Sequence, residues 1–166
     1  GVQTCALPIW SPRSYNSQIG VALGVWQMSA ENTLGIFEAG ISRPGEMEAL
    51  EKIIQPNIGV LTNIGEAHGE NFKNALEKAS EKIKLFKHTD VIICNADDAI
   101  INEALADFPK QRLFSWGRHA NATVQIISIA KQEEETTISC LYNSVPFHFT
   151  IPFADDASIS NAITCL

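Results

Sequence analysis

Residues 34–95 read LGIFEAGISRPGEMEALEKIIQPNIGVLTNIGEAHGENFKNALEKASEKIKLFKHTDVIICN. Three short apolar runs lie in this stretch, Leu34–Glu38, Ile58–Thr62 and Val91–Cys94. Each is too short for a helix, and each ends in polar or turn residues, as buried strands do. Between the first two, Met47, Leu50, Ile53 and Ile54 recur at helical spacing, with Pro44 at the expected first turn and Pro56 as the stop. Between the second and third, Ala75, Leu76, Ala79, Ile83 and Phe86 mark an amphipathic helix over about 74–86. Strand alternating with helix predicts an α/β fold with a mostly parallel sheet flanked by helices.

Outward from this stretch the grammar first continues and then changes. Ser17–Met28 reads as a helix, Asn95-Ala96-Asp97-Asp98 as a strand-to-helix turn with an aspartate N-cap, and Arg112–Ser115 as a fourth strand. After Trp116 the segments Ala122–Ala130, Thr136–Tyr142 and Val145–Ile151 are rich in Ile, Val, Thr and Phe, with Asn143-Ser144 as a turn. That predicts an antiparallel hairpin region at the C-terminal end. Asp155–Leu166 begins a further helix.

A net charge of −7 over 166 residues argues against a nucleic-acid binder, which would carry a basic stripe. No apolar run is long enough to cross a bilayer, and the first ten residues lack the pattern of a secretory signal. Cys5, Cys94, Cys140 and Cys165 are scattered with no Cys-x-x-Cys pair, so reduced, buried thiols in a cytoplasmic protein are expected. Gly1–Ile9 reads like translated sequencing adapter. Residues 1–10 are therefore set aside as a non-native segment, and 11–166 are read as the domain.

In open parallel sheets, ligands bind beyond the C-terminal ends of the strands. Glu38, His68 and Asn95 each follow an expected strand within a few residues, and Lys82 sits on the helix after His68. An acid, a histidine and a helix-borne lysine in that order suit a site for magnesium and nucleotide phosphates. Each also has a plainer role: helix cap, structural imidazole, turn residue, solvent-facing amine. Asn16 and Ser17 precede a helix, as caps do, or as groups that meet a phosphate.

The segments SPRSYNSQIGV (11–21), FEAGISRPGE (37–46), TNIGEAH (62–68), KIKLF (82–86) and NADD (95–98), with Asn161-Ala162, together resemble the central domain of the Mur ligases. This is a P-loop NTPase-like domain. Within the family they look most like the branch that adds D-alanyl-D-alanine to a UDP-N-acetylmuramoyl-tripeptide, some members of which continue into an alanine racemase. The resemblance implies a cytoplasmic ligase of peptidoglycan precursor synthesis. ATP would phosphorylate a substrate carboxylate, and an amine would then attack the acyl phosphate. It implies two magnesium ions, with Glu38 and His68 as metal-binding residues. It also implies a carbamylated lysine as anionic ligand, matched by Lys82, with Lys78 and Lys84 as competitors. Asn161 would hydrogen-bond adenine and Asn95 would touch the nucleotide. The family often carries His-Asn shortly before that adenine asparagine, where this chain has Ala157 and Ser158.

No Gly-x-x-x-x-Gly-Lys-Ser/Thr occurs in the chain. The resemblance places that loop before Ser11, and further substrate-binding domains on either side. The expectation is therefore a truncated central domain, inactive alone, binding ATP very weakly and prone to self-association through uncovered edges. Three alternatives remain: another member of the same family, a metal-dependent hydrolase built on Glu38, His68, Asp97 and Asp98, and a non-catalytic α/β binding module.

Overall fold

The computed structural model describes residues 7–11, 15–65 and 69–166. The chain divides into two units, Gly1–Pro56 with Ala67–His88, and Asn57–Glu66 with Thr89–Leu166.

The first unit holds strands β1 (Pro8–Trp10) and β2 (Leu34–Ile36) and helices α1 (Gln18–Trp26), α2 (Glu46–Ile54) and α3 (Ala75–Ile83). β1 and β2 pair in parallel, with Ile9 opposite Gly35. Setting residues 1–10 aside left this strand out of the expected fold. α1 is apolar on every side. Gly20, Val21 and Gly24 are buried, while Ile19 is 75% and Trp26 83% exposed. Gly20 is required by a close approach, since a Cβ there would lie 2.7 Å from the Tyr15 backbone. Against α1 packs α2, which buries Met47 and Leu50.

The expected helix around Pro44 starts two residues later than the proline implies. Gly45 takes the cap position in the left-handed region, at φ 91°. The Glu46 carboxylate folds back to accept the N–H groups of Ser42 and Arg43, at 2.6 and 2.9 Å. Pro44 thus belongs to a turn that Glu46 closes. Burial raises the Glu46 pKa, but those backbone donors outweigh it and hold the carboxyl below its ordinary value.

The second unit is a six-stranded sheet in sequence order, comprising β3 (Ile58–Leu61), β4 (Val91–Asn95), β5 (Leu113–Gly117), β6 (Val124–Lys131), β7 (Thr136–Tyr142) and β8 (Val145–Ile151). β3 to β6 run parallel, and β6, β7 and β8 are antiparallel. Only the last residues of β5 pair with the first of β6, Trp116 with Val124 and Gly117 with Gln125. A short loop can therefore step sideways to a parallel neighbour without climbing back along the sheet. Tyr142 opposite Val145 leaves a two-residue hairpin turn. Asn143 and Ser144 both have positive φ, 50° and 64°, which matches the twist of the flanking strands.

Helices α4 (Ala99–Ala104) and α5 (Asp156–Thr164) complete this unit. Its core joins Trp116, Val124, Ile126, Ile138 and Cys140 to Ile159 and Ile163 of α5. Cys94 and Cys140 are buried as expected, and burial pushes the Cys94 thiol up to about 11. Cys165 is exposed, which the reading of buried thiols did not foresee. Ile138 is fully buried at the centre of β7. Ile138→Ala should cost about 3 kcal/mol in urea unfolding, against less than about 0.5 for the exposed Val145→Ala.

Candidate functional site

Glu38 stands two residues beyond β2, in the loop that leads to α2, and its side chain is exposed. Asn16 Nδ2 donates to Glu38 Oε1 at 3.0 Å. The Asn16 carbonyl in turn accepts the Gly40 N–H at 2.8 Å. A Cβ at residue 40 would lie 3.1 Å from Asn16 Cγ, so glycine lets the loop close on this asparagine. Of the two cap candidates at Asn16-Ser17, Ser17 takes the capping role. Ser17 is the N-cap of α1 and accepts from Gly20 N–H at 3.2 Å, whereas Asn16 turns to Glu38. Sequence reading missed that link, because no local period reports a contact across 22 residues.

Lys82 lies in the last turn of α3 and is half-buried. Burial, and then the charge of Lys78 one turn earlier, lower its pKa below the ordinary lysine value. Its competitor Lys84 behaves in the opposite way. Lys84 Nζ sits 2.6 Å from Glu81 Oε2, and that hydrogen bond raises its pKa. Lys78 is buried in the same helix. A carbamate forms only on a neutral amine, so the lowered pKa sets Lys82 apart from Lys84.

Glu81, next to Lys82, is the other residue that the sequence did not single out. An acid on an amphipathic helix ordinarily faces water, yet its side chain is only 5% exposed. Its Oε1 accepts the Gly45 N–H at 2.5 Å, at the far end of the loop that begins beside Glu38.

His68 lies outside the described residues. Glu38 and Lys82 belong to the first unit, and Asn95 and Asn161 to the second. Asn95 ends β4, and its Oδ1 accepts the Asp97 N–H at 2.8 Å, so a turn role for its oxygen is present. Asn161 is exposed on α5, which packs against β4. Asp97 and Asp98, invoked for a hydrolase, have structural partners. Asp98 caps α4 through the N–H groups of Ile100 and Ile101, and both Asp97 oxygens accept the Arg118 N–H at 2.9 Å.

Among the described residues, no three His, Cys, Asp or Glu side chains form a metal cage. Magnesium does not require one, since it takes one or two carboxylates together with phosphates and water. An exposed carboxylate oriented by an amide, as at Glu38, fits that donor set. No helix among the described residues is long and apolar enough to cross a membrane.

A family model described as the Mur ligase middle domain matches residues 2–166. The UDP-N-acetylmuramoyl-tripeptide–D-alanyl-D-alanine ligase of Rickettsia prowazekii is 29% identical over 146 residues, covering 84% of this chain and 32% of that protein. Among solved structures, MurF from Acinetobacter baumannii aligns with a TM-score of 0.84 at 21% identity, covering 96% of this chain and 35% of the other. MurF ligase from Thermotoga maritima in complex with ADP aligns at 0.77 and 20% identity, covering 95% and 37%. These likenesses agree on the fold, and the chain spans about a third of the length of the relatives it matches.

Proposed function

The chain belongs to the Mur ligase family, whose middle domain it carries. From this premise we propose that the whole protein is an ATP-dependent ligase joining D-alanyl-D-alanine to a UDP-N-acetylmuramoyl-tripeptide through an acyl phosphate. The relative from Rickettsia prowazekii bears the name of that activity.

In this reading Glu38 and Lys82 supply anionic oxygens beside the triphosphate, with His68 as a further ligand, while Asn161 and Asn95 meet the nucleotide. Magnesium, when bound, neutralises charge on the triphosphate and on the phosphoryl group in transfer. The chain's own contribution is placement. Asn16 takes one oxygen of Glu38 and so orients the carboxylate. Lys82 contributes as a carbamate. The ammonium first gives a proton to water; the neutral Nζ then adds to the carbon of carbon dioxide, a C–O π pair moves onto oxygen, and Nζ gives a second proton to water, so a cation becomes an anion.

The observation that carries the role of Lys82 is its place in the last turn of α3, half-buried and one turn from Lys78, where burial and then that charge lower the amine's pKa. A lowered pKa means that the amine is neutral, and can react, at a lower pH than a solvent-facing lysine. In 13C-bicarbonate at mildly alkaline pH, the 166-residue chain should show a carbamate carbon signal by NMR. Lys82→Arg should remove it and Lys84→Arg should leave it. A signal that survives Lys82→Arg, or no signal at all, overturns the role of Lys82.

A further inference from the structure

We infer that Glu81 is a positioning residue for the metal site, its carboxylate tying the loop that bears Glu38 to the helix that bears Lys82. This inference rests on the reading of Glu38 and Lys82 given above.

A carboxylate buried in a helix face is costly unless each oxygen finds a partner. Glu81 has one on each. Oε1 accepts the Gly45 N–H at 2.5 Å, across 36 residues of sequence, and Oε2 meets Lys84 Nζ at 2.6 Å. The two contacts differ in kind. The Lys84 side chain is 49% exposed, so that ion pair is screened by water and adds little. The bond to Gly45 joins a side chain 5% exposed to a backbone donor at the head of α2. Gly45 has φ 91° and no side chain to cap the helix. The Glu46 carboxylate, which could have reached this region, is occupied by Ser42 and Arg43.

The Glu38 loop is thus held at both ends. Near its start Asn16 bonds Glu38 and Gly40, and between the ends Ile41 is buried. At its close Glu81 bonds Gly45. Since Glu81 precedes Lys82 on α3, the same bond references the Lys82 helix to the Glu38 loop. Loss of this tie loosens two ligand-bearing segments relative to each other, and groups that orient metal ligands set affinity by about 10–100-fold.

The test titrates Mn2+ into the 166-residue chain and follows amide hydrogen exchange in parallel. Glu81→Ala should weaken Mn2+ binding about tenfold or more and speed exchange at Gly45 and along residues 37–45. Glu81→Gln keeps an oxygen for the Gly45 N–H and should restore both. Lys84→Met removes only the ion pair and should leave Mn2+ affinity unchanged, even where the thermal midpoint falls. A purely structural role would move the midpoint in all three variants and leave Mn2+ affinity untouched, which overturns the inference. If Glu38→Ala abolishes Mn2+ binding while Glu81→Ala binds like the unaltered chain, Glu81 has no positioning role and the parent reading stands. If Glu38→Ala does not weaken Mn2+ binding, the parent reading falls, and this one with it.

Discussion

Lys82→Ala in the whole protein is expected to lower ligation turnover by about two to three orders of magnitude, with recovery on addition of a short carboxylic acid. The magnitude follows from removing one preorganised charged group aimed at developing phosphoryl charge. The recovery follows from what is deleted. Alanine removes both the amine and the carbamate oxygens it would carry, and leaves a space beside buried Lys78 that a small carboxylate can enter. Lys84→Ala makes the contrast, because that amine is engaged by Glu81 and its pKa is raised. It should retain turnover within about threefold, since exposed ion pairs are worth little. Full turnover in Lys82→Ala would contradict the assignment, and so would a defect that no carboxylate relieves.

Glu38→Gln should cause a loss of similar size, about two to three orders in turnover, and should raise the requirement for magnesium. Glutamine keeps an oxygen able to accept from Asn16 Nδ2, so the loop geometry survives while the negative charge goes. Because Glu38 is exposed, the thermal midpoint should stay close to that of the unaltered protein. Rescue by a carboxylic acid is not expected here, because the amide still fills the space. A variant with normal turnover would show that the charge at residue 38 has no part in the reaction.

Much of the fold was legible because it rests on local periods. The expected bounds of β7 and β8 coincide with the structure, since strict alternation buries Thr136, Ile138 and Cys140 and the Asn143-Ser144 turn fixes the register. The parallel part was legible from apolar runs separated by helical spacing. The parallel pairing of β5 with β6 was not, because a six-residue link ordinarily signals a hairpin, and only the stagger at Trp116 and Val124 permits otherwise. β1 was lost by setting aside the segment that contains it, although Pro8–Trp10 pairs with Leu34–Ile36.

The candidate site divides in the same way. Glu38 and Lys82 could be named from their order along the chain and from a family resemblance. The groups that hold their segments could not. Asn16 reaches Glu38 across 22 residues and Glu81 reaches Gly45 across 36, and neither contact leaves a periodic trace in the sequence. Glu81 in particular reads as a solvated acid until the fold supplies Gly45 as its partner.

If Glu38 and Lys82 serve one metal site, as proposed, paramagnetic Mn2+ bound there must reach both residues. In the 166-residue chain in bicarbonate, the amide signals of Glu38 and Lys82 should broaden together over the same range of Mn2+ concentration. Glu38→Ala should relieve the broadening at both. Broadening confined to one of the two residues, or indifferent to the carboxylate at position 38, would contradict the account.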